Sequence, residues 1–311
     1  MIARMQHVVV LGAGAIGSLY AARLSTTTDV TLVGRPAHVE AIARSGLCID
    51  GLDPDRYQLN AVNRITAIAP DTVVILTTKV SDNASAIASI APLIRPDTVI
   101  LCLQNGLGGE DIARRLLPAG TLVLRGLTQF GAIFRGPGFI ELKAGGVTLV
   151  EADPVADGLA RMLTGCGLEG RVSSNIRADV WRKLIANCVI NPITSITGGQ
   201  VGSIADGRMD PVKHLVIAEC LAVAAAEGVR IDGDLLAFIN ATFGPSRNTA
   251  SMLQDLSRGH ATEIDFMNGA VAERGAAHGI ACPMNVALTT IVKTLERHSQ
   301  DPDAPHRPAL A

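Results

Sequence analysis

The run from His7 to Thr26 constrains this chain more than any other stretch. His7 to Leu11 (HVVVL) is a short β-branched run that reads as a buried strand. Gly12-Ala13-Gly14-Ala15-Ile16-Gly17 follows at once, and Ser18 to Thr26 then reads as a helix. Strand, GxGxxG turn and helix in that order are what a dinucleotide-binding unit requires. Gly12 permits the tight turn, Gly14 lets the backbone approach a pyrophosphate, and Gly17 lets the helix pack closely on the sheet. The helix N-terminus offers its N–H groups to the phosphates, so Ala13, Ala15 and Ile16 join the glycines as candidate cofactor contacts.

The strands that follow extend an open α/β sheet. Val30 to Val33 is the second, and its end is informative. An NAD-binding chain usually places an acidic residue there for the ribose hydroxyls, whereas this one has Gly34-Arg35. An arginine can pair with a 2′-phosphate, so Arg35 points to NADP. Val73 to Thr78 is a buried parallel strand with Lys79 just past its C-terminal end, the edge where ligands of such sheets collect. Val99 to Leu103 repeats the pattern and delivers Asn105 to the same edge. A short strand is expected near Tyr57 to Ala61. Leu122 to Phe134 and Phe139 to Val150 read as strands around a turn at Gly136-Pro137-Gly138, finishing the sheet with antiparallel character. A helix over Asp153 to Thr164 and a last short strand at Val172 close this part.

From Ser174 onward strand-like alternation stops and helical patterns begin, giving domains at 1–172 and 173–298. Ser299 to Ala311 reads as a frayed, flexible tail. The opening helix, Ile176 to Ser195, holds WRKLIANCVINP, with Pro192 expected to kink or end it. Lys183, Asn187 and Asn191 recur at intervals of four, within an arc of roughly 80°. The rest of the circumference is apolar, as in a buried helix. An amine and two amides on such a helix need partners, either internal or a ligand. Further helices are expected over Pro211 to Glu227, Asp232 to Phe243, a short one from Ser251, a long one from Thr262 to His278, and Pro283 to His298.

With 48% apolar residues in 311, a sizeable core is expected, and with 3% aromatics it must be aliphatic. A net charge of −2 gives no basic footprint for nucleic acid and no polybasic membrane patch. The six cysteines form no CxxC pair and mostly sit in apolar runs, which fits reduced thiols and a cytoplasmic setting. No charge-free span is long enough to cross a membrane, and the N-terminus is too short and glycine-rich for a signal peptide. The histidines show no metal-ligand spacing, so no metal is expected.

A cofactor motif together with one amine on a buried helix suggests hydride chemistry with a proton partner. Reducing a carbonyl puts negative charge on its oxygen, which needs a proton or positive charge beside it. Lys183 is the best candidate in the chain, and desolvation can lower a lysine pKa towards neutrality.

The chain resembles the ketopantoate reductase (2-dehydropantoate 2-reductase) family. The resemblance rests on VVVLGAGAIGS, TTKV ending at Val80, QNG at Gln104 to Gly106, NIRADVWRKLIANCVINPITSI from Asn175 and SMLQDLSRGHATEID from Ser251. It implies an α/β Rossmann-like N-terminal domain, then an all-helical domain of the 6-phosphogluconate dehydrogenase C-terminal type, with the active site in the cleft between them. It implies NADPH-dependent reduction of ketopantoate to (R)-pantoate, in the route to pantothenate. It makes Lys183 the catalytic lysine and Glu263 the active-site glutamate. Asn187 and Asn191 become substrate asparagines, Ser251 the carboxylate-binding serine, and Asn105 the loop asparagine near nicotinamide and substrate. Arg35 becomes the 2′-phosphate arginine and Lys79 the cofactor-side lysine. From the residues alone, Ser251 could instead cap a helix and Glu263 could stabilise a first turn. The expected partner is a small 2-oxo acid, and a homodimer is allowed. Two alternatives are an opine- or hydroxyacyl-type dehydrogenase, which commonly needs a histidine-based site, and a non-catalytic NADP-binding regulator.

Overall fold

The computed structural model describes residues 5–300. Contacts divide the chain into two compact units. One comprises the residues up to Gln104 together with Gly108–Ile176, and the other Asn105–Leu107 together with the residues from Arg177 onward.

The first unit runs β1 (His7–Leu11), α1 (Ala15–Leu24), β2 (Asp29–Val33), α2 (Pro36–Ser45), β3 (Leu47–Gly51), β4 (Asp55–Tyr57), β5 (Asn60–Val62), β6 (Thr72–Leu76), α3 (Asn83–Ile90), β7 (Val99–Cys102), α4 (Gly109–Leu116), β8 (Leu122–Thr128), β9 (Gly131–Gly136), β10 (Phe139–Ala144), β11 (Thr148–Glu151), α5 (Ala156–Gly165) and β12 (Gly170–Ser173). An eight-stranded sheet has the order β12-β11-β8-β7-β6-β1-β2-β5. The central strands β1, β6 and β7 pair in parallel and are almost wholly Val, Ile and Leu, as strands covered on both faces must be. Val8 and Val10 join the core that holds Leu19, Tyr20 and Leu24 of α1. Val9 and Leu11 join the one that holds Ile87 and Ile90 of α3. That is the two-residue alternation of a strand with helices on either side. Connections from β1 and its neighbours leave in opposite directions, so the crevice beyond the β1 C-terminus is where such sheets bind ligands.

The sequence reading erred on the second half of this unit. β9 and β10 do not extend the main sheet; they form a separate four-stranded sheet of order β4-β3-β10-β9. Only one face of β10 is apolar, through Ile140 and Leu142, and it packs with Leu47 and Ile49 of β3 in the core around α1. A strand with one apolar face suits a sheet covered on one side, not the doubly covered centre of the main sheet. The single strand expected near Tyr57 is likewise two, β4 and β5, one in each sheet. Only β11 returns, antiparallel to β8, with β12 beside it.

His38, buried on α2, ties these layers together. Its Nδ1 accepts from the Gly138 N–H at 2.8 Å, which leaves the proton on Nε2, 3.0 Å from Ser18 Oγ. Burial holds the imidazole below the ordinary histidine range. The folded chain therefore binds this proton less well than the unfolded chain. The resulting stability is complete above about pH 6.5 and is lost as pH falls below it. Thermal unfolding midpoints should decline on acidification through that window, and His38→Gln should flatten the decline. An unchanged pH profile in the variant would contradict the assignment.

The second unit is helical: α6 (Ile176–Thr197, of which Ile176 counts with the first unit), α7 (Asp210–Ala226), α8 (Leu235–Phe243), α9 (Ser251–Ser257), α10 (Asn268–Ala277) and α11 (Pro283–Gln300). Buried Lys213 donates to Ile204 O at 2.6 Å and Asn240 Oδ1 at 2.7 Å, and pairs with Asp210 at 2.6 Å. It thereby fixes the loop Val201–Ala205, whose Val201 and Gly202 N–H groups donate to Asn248 O and Ser246 O, each at 2.8 Å. Two expectations need correction. The long helix from Thr262 is broken into a 3-10 turn, Ile264–Phe266, and α10, because Met267 leaves helical geometry (φ −112°, ψ −100°). Ser299 and Gln300, expected at the start of a flexible tail, instead close α11; the rest of that expected tail, residues 301–311, lies outside the described residues. No helix among the described residues is long and apolar enough to cross a membrane.

Candidate active site

The glycine loop shows three different needs. Gly12 has φ +116°, and a Cβ there would lie 2.5 Å from Thr78 N. A Cβ on Gly17 would lie 1.9 Å from Gly12 O and 2.5 Å from Thr77 Oγ1. Gly14 is exposed, and a Cβ on it would meet nothing within 4 Å. The first and third glycines thus answer to the protein's own packing, whereas the second faces open space. No side chain caps the N-terminus of α1 at Gly14, so the first-turn N–H groups, including those of Ala15 and Ile16, are left for an anion. A cradle closed from behind and open in front fits a dinucleotide pyrophosphate.

Gly12 N also donates to Val33 O at 3.1 Å, and a Cβ on Gly34 would lie 2.4 Å from that of Ala13. The end of β2 therefore lies against the loop. Arg35 follows it, exposed, at the N-cap position of α2, and no acidic residue occupies the strand end. Lys79, half-buried, ends the turn after β6 and precedes a 3-10 turn, Val80–Asp82. Sequence reasoning missed Thr77, whose hydroxyl donates to Gly12 O at 2.7 Å and clamps the loop. It also missed buried Asn83, whose Oδ1 accepts from Thr78 Oγ1 at 2.7 Å and Gln104 Nε2 at 2.6 Å. A hydroxyl pair at a strand end was the available signal for Thr77; nothing local marks Asn83.

In the second unit, α6 buries Trp181, Leu184, Ile185, Cys188 and Val189 and leaves Lys183 and Asn187 half-buried. Lys183 Nζ donates to Asn105 Oδ1 at 3.0 Å. Asn105 is held there by its own loop: Leu107 N donates to Phe266 O at 3.0 Å, and Gly106 packs so closely that a Cβ would lie 2.3 Å from that carbonyl. Phe266 ends the 3-10 turn that Glu263 precedes, so the Asn105 loop is seated on the Glu263 segment. Glu263 is half-buried and non-helical, which removes first-turn stabilisation of a long helix as its role. Asn191, buried, donates from Nδ2 to Met267 Sδ at 3.4 Å. Lys183, Asn105, Asn191 and the Glu263 segment are therefore brought together.

Ser251 takes no part in the hydrogen bonds just described. It is exposed at the start of α9, and the N-cap position belongs to Ala250, so capping is not its role. All six cysteines are free, and burial pushes the Cys188 thiol up, against any use of it as a nucleophile. A cavity of about 480 Å³ in the first unit opens beside Arg44, Arg56 and Phe139, none of them a predicted site residue.

An amine hydrogen-bonded to an amide oxygen, beside a carboxylate-bearing segment, can protonate or polarise a carbonyl oxygen. Comparison with known proteins places the chain in a family. Residues 8–154 match the family model for ketopantoate reductase PanE/ApbA, and residues 175–296 match its C-terminal counterpart. A 2-dehydropantoate 2-reductase of Pyrococcus horikoshii is 35% identical over 297 residues, covering 93% of this chain and 97% of that protein. The crystal structure of a PanE/ApbA family ketopantoate reductase from Ralstonia eutropha JMP134 superposes with a TM-score of 0.88 at 31% identity, over 95% of this chain and 100% of that one. A D-mandelate dehydrogenase bound to NADH and anilino(oxo)acetate superposes with a TM-score of 0.89 at 28% identity, again over 95% and 100%.

Proposed function

The chain belongs to the PanE/ApbA ketopantoate reductase family, and from that premise we propose that it reduces 2-dehydropantoate to (R)-pantoate with NADPH. The observation that carries this reading is the Lys183–Asn105 hydrogen bond, made on a buried helix that presents Asn187 and Asn191 in line with the lysine. NADPH, when bound, supplies the hydride that forms the new C–H bond at the keto carbon. Lys183 gives its proton to the ketone oxygen as the carbonyl π bond breaks, and solvent reprotonates the amine. Asn105 holds the ammonium in place before the substrate oxygen takes up that bond. Glu263 binds the substrate hydroxyl or steadies the ammonium. Asn187 and Asn191 hydrogen-bond the substrate, and Ser251 receives its carboxylate. Gly12 to Gly17 and Lys79 hold the cofactor. Arg35 pairs with its 2′-phosphate, because an arginine occupies the place where an NAD-binding chain carries an acid.

A second reading comes from the similarity to D-mandelate dehydrogenase: NADH-dependent reduction of an aryl 2-oxo acid. A panel of aliphatic and aryl 2-oxo acids, assayed with NADPH and with NADH at the nicotinamide absorbance band, separates the two. Turnover of ketopantoate with NADPH preferred is expected. A strong preference for NADH would refute the role given to Arg35.

A further inference from the structure

Helix α6 runs through a proline. Pro192 has no N–H, so the hydrogen bond it would have made to the carbonyl four residues earlier, that of Cys188, is missing from the helix ladder. The protein supplies a replacement. Asn268 Nδ2 donates to Cys188 O at 3.0 Å. The same nitrogen donates to Asn285 Oδ1 at 2.9 Å, so both of its hydrogens are committed. Asn268 is fully buried, and its Oδ1 has no hydrogen-bond partner among the described residues. A buried amide held at that cost is there for its donors. Its orientation is set from behind: Asn285 Nδ2 donates to Glu219 Oε2 at 2.7 Å, which turns Asn285 Oδ1 towards Asn268. Glu219 also accepts the Met284 and Asn285 N–H groups, at 2.8 and 2.9 Å, and is thereby fixed to the start of α11.

The place of this bond matters. Cys188 follows Asn187, and Pro192 follows Asn191. Met267, the neighbour of Asn268, receives the Asn191 amide. Two consecutive residues thus grip α6 on the N-terminal side of its proline. They sit at the end of the short turn that begins beyond Glu263. The proline frees a carbonyl and would by itself let the helix bend variably. We propose that Asn268 is a positioning residue, whose side chain replaces the N–H absent at Pro192 and so sets the register between the Lys183 helix and the Glu263 segment. The proposal rests on the reading of Lys183 and Glu263 as active-site groups. Asn268 itself touches neither.

The test is a double-mutant cycle on the full chain, Asn268→Ala against Pro192→Ala, read by kcat and KM for ketopantoate, NADPH binding and thermal unfolding. Asn268→Ala alone should lower kcat by about 10- to 100-fold through misplacement of the reacting groups, with NADPH affinity unchanged. Pro192→Ala returns the N–H to Cys188 O. In that background the same Asn268→Ala change should lower kcat by only about threefold or less, and its loss of thermal stability should shrink as well. A retained wild-type kcat in Asn268→Ala overturns the proposal. So does an equal loss in both backgrounds, which would make Asn268 a packing residue without a link to the proline. Wild-type protein that turns over no 2-oxo acid overturns the functional reading instead, and the positioning role with it.

Discussion

Lys183→Ala is expected to lower kcat for the 2-oxo acid by about 10²- to 10⁴-fold, the range for loss of a positioned general acid. The geometry sets the character of the loss. Lys183 Nζ lies 3.0 Å from Asn105 Oδ1, on a helix that buries Trp181, Leu184 and Ile185 beside it, so the amine is held at a fixed place rather than free in solvent. The glycine loop belongs to the other unit, so NADPH affinity should stay at its wild-type value. Lys183→Arg keeps a positive charge but gives up the readily transferred proton, so it should recover only the electrostatic part of the rate. Steady-state rates with a fluorescence titration of NADPH check all three statements. A wild-type kcat in Lys183→Ala would remove the lysine from the chemistry.

The glycine loop yields the second large effect. A Cβ on Gly17 would stand 1.9 Å from Gly12 O, a backbone atom already held by Thr77 at 2.7 Å. Neither side can yield cheaply, so Gly17→Val should deform the loop, abolish NADPH binding and lower the thermal midpoint of the first unit. Gly14→Ala is the informative contrast. Its backbone (φ −78°, ψ −168°) accepts alanine, and the new methyl meets no protein atom within 4 Å. Stability should therefore be unchanged, while the methyl intrudes on the space left for the pyrophosphate. An overpacking cost of about 1–3 kcal/mol corresponds to a roughly 5- to 150-fold weaker NADPH affinity. Equal stability with equal affinity in Gly14→Ala would mean that the nucleotide lies elsewhere.

How far the sequence anticipates this structure depends on how local each signal is. β1, the glycine turn and α1 are legible because strand composition, turn glycines and helix start are contiguous. The line of Lys183, Asn187 and Asn191 is legible because helical periodicity alone puts them on one face. The departure of β9 and β10 into their own sheet is not, since strand pairing is settled by long-range partners such as β3. The same holds for Asn105. Its place after β7 suggests the sheet edge, yet its loop is seated on Phe266, far along the chain. The break at Met267 was missed because the helical pattern from Thr262 is continuous. It is the hydrogen bonds from Asn191 to Met267 and from Asn268 to Cys188 O that give the break a purpose. Family resemblance named Glu263 and Ser251 where periodicity could not, since neither stands in a regular pattern with the lysine.

The central claim is that this is an NADPH-linked reductase of a branched aliphatic 2-oxo acid. Its most direct test is the ratio of two specificity constants, kcat/KM for ketopantoate with NADPH against kcat/KM for phenylglyoxylate with NADH, measured on the same preparation. The account predicts a ratio well above one, with pantoate formed in step with NADPH consumed. A ratio below one, or NADPH consumption without pantoate, would contradict it.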